Sequence, residues 1–469
     1  MARNEDSGAG SFMAKNFQVV LPENQPRHYR SVIKQVEIDL PDDPVRYTQC
    51  RNDPDDDGIW GAAGVNAHNV AMTATETITT NARVQGADPM LTDAGIGEED
   101  FVTLVLPYIR TAREGVKRLG GLLEQYGTYE MNGIGFQDVN EIWWLETIGG
   151  HHWIARRVPD DRYVIMPNQQ GIDRLDLKDA FGEGRENLCS PDLIEFIGEN
   201  HLDLTVGRTV PLTEETAFDV RAAFGSHDDG DHVYNTPRGW FMARTLSPKA
   251  HRWDGPDAEY GPESDDIPWS LVPEHLITPE DVKYVLSGHY QGTPFDPYAR
   301  RGEHRGGYRP IGVNRNNILV LTQLRPYVPE GCMALQWIAM ASNVFNEMIP
   351  FYANVDATPA YLNRATKTVN TDSLYWSSRL IGALADAHYP ACATHVERYQ
   401  KAMQGTAHRL IRQFDAEAAG KDAASLPGFL AECNQALADA ARKQTDELLG
   451  KVLYEASCGM KNAFARSDA

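Results

Sequence analysis

Cysteine is scarce in this sequence: six among 469 residues, at Cys50, Cys189, Cys332, Cys392, Cys433 and Cys458, with no C-x-x-C pair. A chain this long builds its core without disulfide staples, so the count excludes a disulfide scaffold and a paired-thiol zinc site. Free, mostly packed thiols are expected. Long apolar runs are missing too. ILVLTQL and MALQWIAMA fall far short of the ~18 residues a membrane span needs, and MARNEDSGAG contains no apolar signal core. Neither a membrane nor a secretory route is expected, and the chain reads as cytoplasmic. Positive charge is in deficit, with 44 Lys and Arg against 66 Asp and Glu and a net charge of −22. Such a surface repels phosphate backbones, and no basic cluster with interleaved aromatics offsets it, so nucleic acid is excluded as a partner. There is no G-x-S-x-G, no cysteine in a papain-like setting and no phosphate loop, since GIGFQDV is not followed by G-K-[ST].

What is present is 42% hydrophobic residues, enough for a large core. Residues 16–77 carry strand patterns in NFQVV, the alternating SVIKQVEIDL and GVNAHNVAMTATET. From Gly97 to Gly127 the positions Val102, Leu106, Ile109, Val116, Leu119 and Leu123 predict a helical face. EIWWLET, HHWIARRV and RYVIMP predict hairpin strands carrying aromatic residues between two layers. Residues 188–304 are mixed and rich in Pro, Gly and Asp. Within them TPEDVKYVLSGHYQG predicts a helix capped by Thr278, with Pro279 first and Asp281 reaching back. A second strand group runs through YRPIGVNRNNILVLTQLRP and CMALQWIAMAS, and Thr371–Ser457 predicts long amphipathic helices. Without βαβ alternation the class is α+β. We expect one domain over residues 1–370 and a helical region, 371–469, packed on it.

Two segments resemble metal sites. GGHHW holds His151 and His152, which on a strand would face opposite sides and fail to share one ion. SHDDGDH at 226–232 has two histidines and three aspartates in an order that matches no Ca²⁺ loop, and a solvated acidic loop is expected there.

Several blocks are dull singly and specific together: ARNEDSG, IWGAAGVNAHNVAMTATET, NEIWWLETIGGHHWIARRVPDDRYVIMPNQ, VYNTPRGWFMARTLSP, GHYQGTPFDPY and YRPIGVNR. In this order they resemble the cysteine dipeptidases related to bacterial dipeptidase A, which are N-terminal-nucleophile hydrolases. The resemblance spans nearly the whole chain. More distantly it extends to penicillin V acylases, bile-salt hydrolases and secernins. It implies an α/β/β/α sandwich of two antiparallel sheets with a helical C-terminal region, dipeptide substrates and no metal or organic cofactor. A homo-oligomer is compatible with the sequence.

In such enzymes an N-terminal cysteine attacks the amide while its own α-amine, titrating near ~7.7–8.0, handles the proton. The thiolate needs a cation beside it and the ammonium an anion. By resemblance, Arg3 and Asp6 of R-x-x-D fill these places. Residues three apart leave an ideal strand on opposite faces, so both can serve one site only if the strand ends or bulges near Asn4–Glu5. The resemblance assigns a side-chain oxyanion donor to Asn168 in MPNQ, the backbone half of that hole to Thr75 or Glu76 in TATET, and a further active-site arginine to Arg238 in YNTPR. It also places the nucleophilic cysteine upstream of A-R-N-E-D, on the partner strand of a hairpin. Met1 then falls within that hairpin, and Cys50 carries an amide in place of a free amine. The 469 residues are expected to be inactive alone, and the native gene product to be longer. Two rivals are an acylase of the penicillin V or bile-salt type, with a more apolar pocket, and a non-catalytic, secernin-like peptide-binding protein.

Overall fold

The computed structural model describes residues 1–8, 12–53, 58–74, 76–204 and 217–461. Two antiparallel sheets organise it. Their strands, in chain order, are β1 (Ala2–Asp6), β2 (Ala63–Val65), β3 (Ala71–Thr73), β4 (Glu76–Thr77), β5 (Asn132–Gln137), β6 (Ile142–Ile148), β7 (His152–Arg157), β8 (Asn187–Cys189), β9 (Asn316–Leu324), β10 (Ala334–Met340) and β11 (Ile349–Tyr352). The smaller, four-stranded sheet has the order β1-β9-β10-β11. The larger, seven-stranded sheet has the order β8-β7-β6-β5-β3-β2, with β4 also beside β5. A ribbon of Lys15–Val20 against Tyr47–Asn52 lies outside both.

Period-2 alternation sorts the faces of the larger sheet. Trp143 and Leu145 of β6 pack with Val116, Leu119 and Leu123 of helix α1 (Ala112–Tyr126). Gly120 lets that helix approach closely, because a Cβ there would meet the Trp153 indole. On the opposite face, Val65 and Ala71 join Ala334, Ala353, Met1 and Leu324 in a cluster that unites the two sheets. The smaller sheet shares its core with the C-terminal helices, where Leu335 and Trp337 meet Met403, Ile411, Leu430 and Leu437. Burial of such side chains, worth about 1.5–3 kcal/mol each, holds the layers together. No described helix is long and apolar enough to cross a membrane.

Mixed helix and antiparallel sheet accord with the α+β expectation, and two local expectations need correction. The helical face over Gly97–Gly127 is broken. Phe101–Val105 is one short helix, a 3-10 turn holds Pro107, and α1 starts afresh where the Thr111 hydroxyl accepts from the Glu114 N–H at 3.1 Å. Pro107 has no N–H with which to continue the first helix. RYVIMP is not the next hairpin strand either. Only Tyr163–Val164 is extended, and it pairs with Ser270–Leu271 while β8 takes the edge of β7. The capping box at Thr278 forms as expected, opening a helix over Pro279–Leu286. All six cysteines are free, with Cys458 exposed and Cys189 half-buried.

Candidate active site

Between the sheets lies a cavity of about 1100 Å³ whose walls come from distant parts of the chain. Strand β1 forms one wall. It pairs on one side with β9, from Ala2 opposite Leu321 to Glu5 opposite Ile318. The pairing then slips, so that Asp6 stands opposite Asn316. The irregularity sits between Glu5 and Asp6, and Arg3 and Asp6 both line the cavity.

The two residues have different partners. Arg3 is buried, donates to the Ala62 carbonyl at 2.8 Å and pairs with the Glu98 carboxylate. Glu5 lies 3.9 Å from Arg3 and 2.5 Å from Lys15. Burial raises the Glu98 carboxyl above its ordinary range, against the pull of Arg3. Asp6 pairs with Arg309 and accepts from the Asn316 side chain. An Arg3–Asp6 ion pair is therefore not what the strand builds.

Asn168 follows the segment that leaves the sheet at Tyr163–Val164. Its Nδ2 donates to the Thr77 carbonyl at 2.8 Å, and its Oδ1 accepts from Arg238 at 2.6 Å. This fixes the amide orientation, with one N–H used and the other facing no described acceptor. Arg238 lies on helix α3 (Thr236–Leu246) and is held by the Asn235 side chain at 2.8 Å and the Tyr234 carbonyl at 2.6 Å. Met242 and Leu246 follow at four-residue intervals, so the same helical face lines the cavity.

Arg3, Asp6, Asn168 and Arg238 are thus gathered around one cavity. Thr75 lies outside the described residues. Glu76 is in β4, and its neighbour Thr77 lines the cavity. Sequence reasoning missed Glu98, Arg309, Asn316, Tyr234 and Arg315. Arg309 and Arg315 stand in the quoted YRPIGVNR, and Glu98 in the acidic run GEED that opens an apolar helix.

The suspected metal segments have other roles. His151 sits in the turn before β7, so both histidines reach one carboxylate, with their Nδ1 atoms 2.9 and 2.7 Å from Asp88. That corrects the opposite-face expectation. Burial would raise the Asp88 carboxyl, but hydrogen bonds from His152 and His151 prevail and hold it at about 2. In SHDDGDH, His232 turns to Asp265 at 3.1 Å while Asp228, Gly230 and Asp231 line the cavity. No metal-binding group of three ligands occurs among the described residues.

None of the six cysteines lines the cavity. Burial pushes the Cys50 thiol far up, which suits a packed side chain.

The sequence profile of peptidase family C69 matches residues 1–402. A dipeptidase of Bifidobacterium longum (strain NCC 2705) is 51% identical over 519 aligned positions, covering 100% of this chain and 96% of that protein. A probable dipeptidase A of Streptococcus pyogenes serotype M18 is 48% identical over 470 positions, covering 100% of this chain and 94% of that protein. Dipeptidase A of Lactobacillus helveticus is 42% identical over 463 positions, with 97% and 93% covered. With the family profile spanning most of its length and relatives this similar end to end, the chain belongs to peptidase family C69.

Proposed function

We propose that this protein hydrolyses dipeptides by a thiol acyl-enzyme route, in a sandwich of the N-terminal-nucleophile type. The observation that carries the reading is the convergence of Arg3, Asp6, Asn168 and Arg238 on one cavity between two sheets. Relatives named dipeptidase at 41–51% identity support the substrate class. The nucleophile in this reading is the thiol of an N-terminal cysteine, the residue the family resemblance implies.

In this scheme the thiolate attacks the peptide carbonyl beside Arg3, whose positive charge favours the ionised sulfur. Asp6 orients the α-ammonium. The Asn168 amide, already turned by Arg238, donates to the developing oxyanion, together with the backbone N–H of Thr75 or Glu76. The α-amine passes the proton to the leaving amine, and water then releases the first amino acid from the sulfur.

The test is a dipeptide panel run on two polypeptides: the 469 residues beginning at Met1, and the same chain extended at its N-terminus by a segment that begins with cysteine. The first is expected to be silent and the second to turn over at ~1 s⁻¹ or more. Turnover at that rate by the 469 residues would sink the nucleophile assignment. Binding without turnover by the longer form would favour a non-catalytic protein. One observation keeps an acylase in view, namely the apolar wall of Met166, Met242, Leu246, Ile277, Val282 and Leu286. N-acyl amino acids cleaved in preference to dipeptides would support it.

A further inference from the structure

Tyr234 ends the short helix α2 (Asp231–Tyr234) and stands in the cavity wall with 36% of its surface exposed. Three arginines from separate segments converge on it. Arg238 lies over the ring at 4.7 Å and Arg309 at 5.0 Å. Arg315 donates from Nη2 to the phenol oxygen at 2.8 Å. All three line the cavity. The lining also carries Glu5, Asp6, Glu98, Asp228 and Asp231, so the three arginines are a local cationic group within a wall of mixed charge.

The three are not equivalent. Arg309 is paired with Asp6, and Arg238 holds the Asn168 side chain. Arg315 is half-buried, the described hydrogen-bond partner of its side chain is a neutral hydroxyl, and no carboxylate pairs with it among the described residues. A guanidinium braced on one side by a phenol keeps donors for a second, charged acceptor. Its planar fork matches a carboxylate in two parallel hydrogen bonds. Arg315 also adjoins Asn316, which holds Asp6, so a group bound there stands at a set remove from β1.

Resting on the dipeptidase reading, we propose that Arg315, braced by Tyr234, binds the free α-carboxylate of the dipeptide and so determines specificity. In a longer peptide that carboxylate lies at least one residue further from the bond to be cut, where no such pairing forms. Arg315 touches neither the scissile carbonyl nor the thiol in this scheme. Its contribution is to select and align the substrate.

The test compares leucyl-leucine with leucyl-leucine amide on the form that carries the N-terminal cysteine, by hydrolysis and by calorimetric binding. The wild type is expected to favour the free acid by about 10- to 100-fold in kcat/KM, the worth of a charge-assisted pair. Arg315→Gln should raise KM for the acid by a similar factor, with kcat falling far less, and should abolish the preference over the amide. Arg315→Lys should restore part of it, since the charge returns without the fork. Tyr234→Phe should cost about 3- to 10-fold by freeing the guanidinium, and decides the matter if Arg315→Gln fails to fold. Arg162→Gln, at another cavity-lining arginine, should keep the preference. An Arg315→Gln protein that still prefers the acid overturns the proposal, as does loss of the preference in Arg162→Gln alone. A wild type that cleaves acid and amide equally overturns the anchor and leaves the dipeptidase reading standing. A wild type that neither binds nor cleaves any dipeptide overturns both.

Discussion

Replacing Arg3 with methionine keeps an unbranched apolar stem and removes the guanidinium with its charge. Arg3 is 8% exposed, donates to the Ala62 carbonyl at 2.8 Å and pairs with Glu98, which is itself buried. Glu98 has no second ion-pair partner among the described residues, because Lys15 is engaged with Glu5 at 2.5 Å. Arg3→Met therefore strands a carboxylate in a low-dielectric interior. Breaking a buried pair from one side costs about 3–5 kcal/mol, most of it the uncompensated charge. The carboxyl can escape by taking up a proton, and burial already raises it above its ordinary range. A carboxyl raised in the folded state gives stability that is present at low pH and lost as pH climbs through its folded value. The deficit of Arg3→Met should thus be largest near pH 8 and shrink towards pH 5. Urea unfolding of wild type, Arg3→Met and Arg3→Met/Glu98→Gln at both pH values measures it. The double variant should recover most of the loss at pH 8, because a neutral amide replaces the stranded charge. A loss below about 1 kcal/mol, the size of an exposed pair, or a loss independent of pH would refute the buried-pair argument.

Asn168→Ala in the form that carries the N-terminal cysteine should lower kcat by about 10²–10³ with little change in KM, since the amide donates to charge that exists only in the transition state. A rise in KM with kcat held would instead make Asn168 a ground-state contact. Asp100 is fully buried and accepts from Tyr29 at 2.5 Å and from the Gly97 N–H at 2.9 Å. Burial first, then the neighbouring Glu99, push its carboxyl up to about 7. That shift withdraws about 4 kcal/mol as pH rises from 4 through 7, so Asp100→Asn should flatten the fall in stability across this window. An unchanged slope in pH-dependent thermal unfolding would contradict it.

Local signals make some of this legible from sequence. The helix at Thr278 is announced by its own capping residues, and the helices after Thr371 by periodic apolar faces that do pack on a sheet. RYVIMP misleads because Ile165, Met166 and Pro167 are apolar for another reason, as the wall of a cavity. The Gly97–Gly127 face misleads because apolar period says nothing of the missing donor at Pro107. Arg3, Asp6, Asn168 and Arg238 are legible only through resemblance. Their partners are not, because contact is made across the fold: Glu98 lies 95 positions from Arg3 and Arg309 lies 303 from Asp6. No periodicity carries information over such separations.

The slipped pairing of β1 makes the distance between Arg3 and Asp6 a matter of counting. Asn4 is tied on both sides, donating to the Leu286 carbonyl at 2.8 Å and accepting from Asn343 at 3.0 Å, and Glu5 is held by Lys15. The single irregularity after Glu5 already absorbs the one offset the ladder with β9 permits. A residue gained or lost between Arg3 and Asp6 would have to be taken up on one side of that slip, drawing either the guanidinium from Glu98 or the carboxylate from Arg309. Over these few positions the chain can therefore drift in spelling while its length stays closed to change.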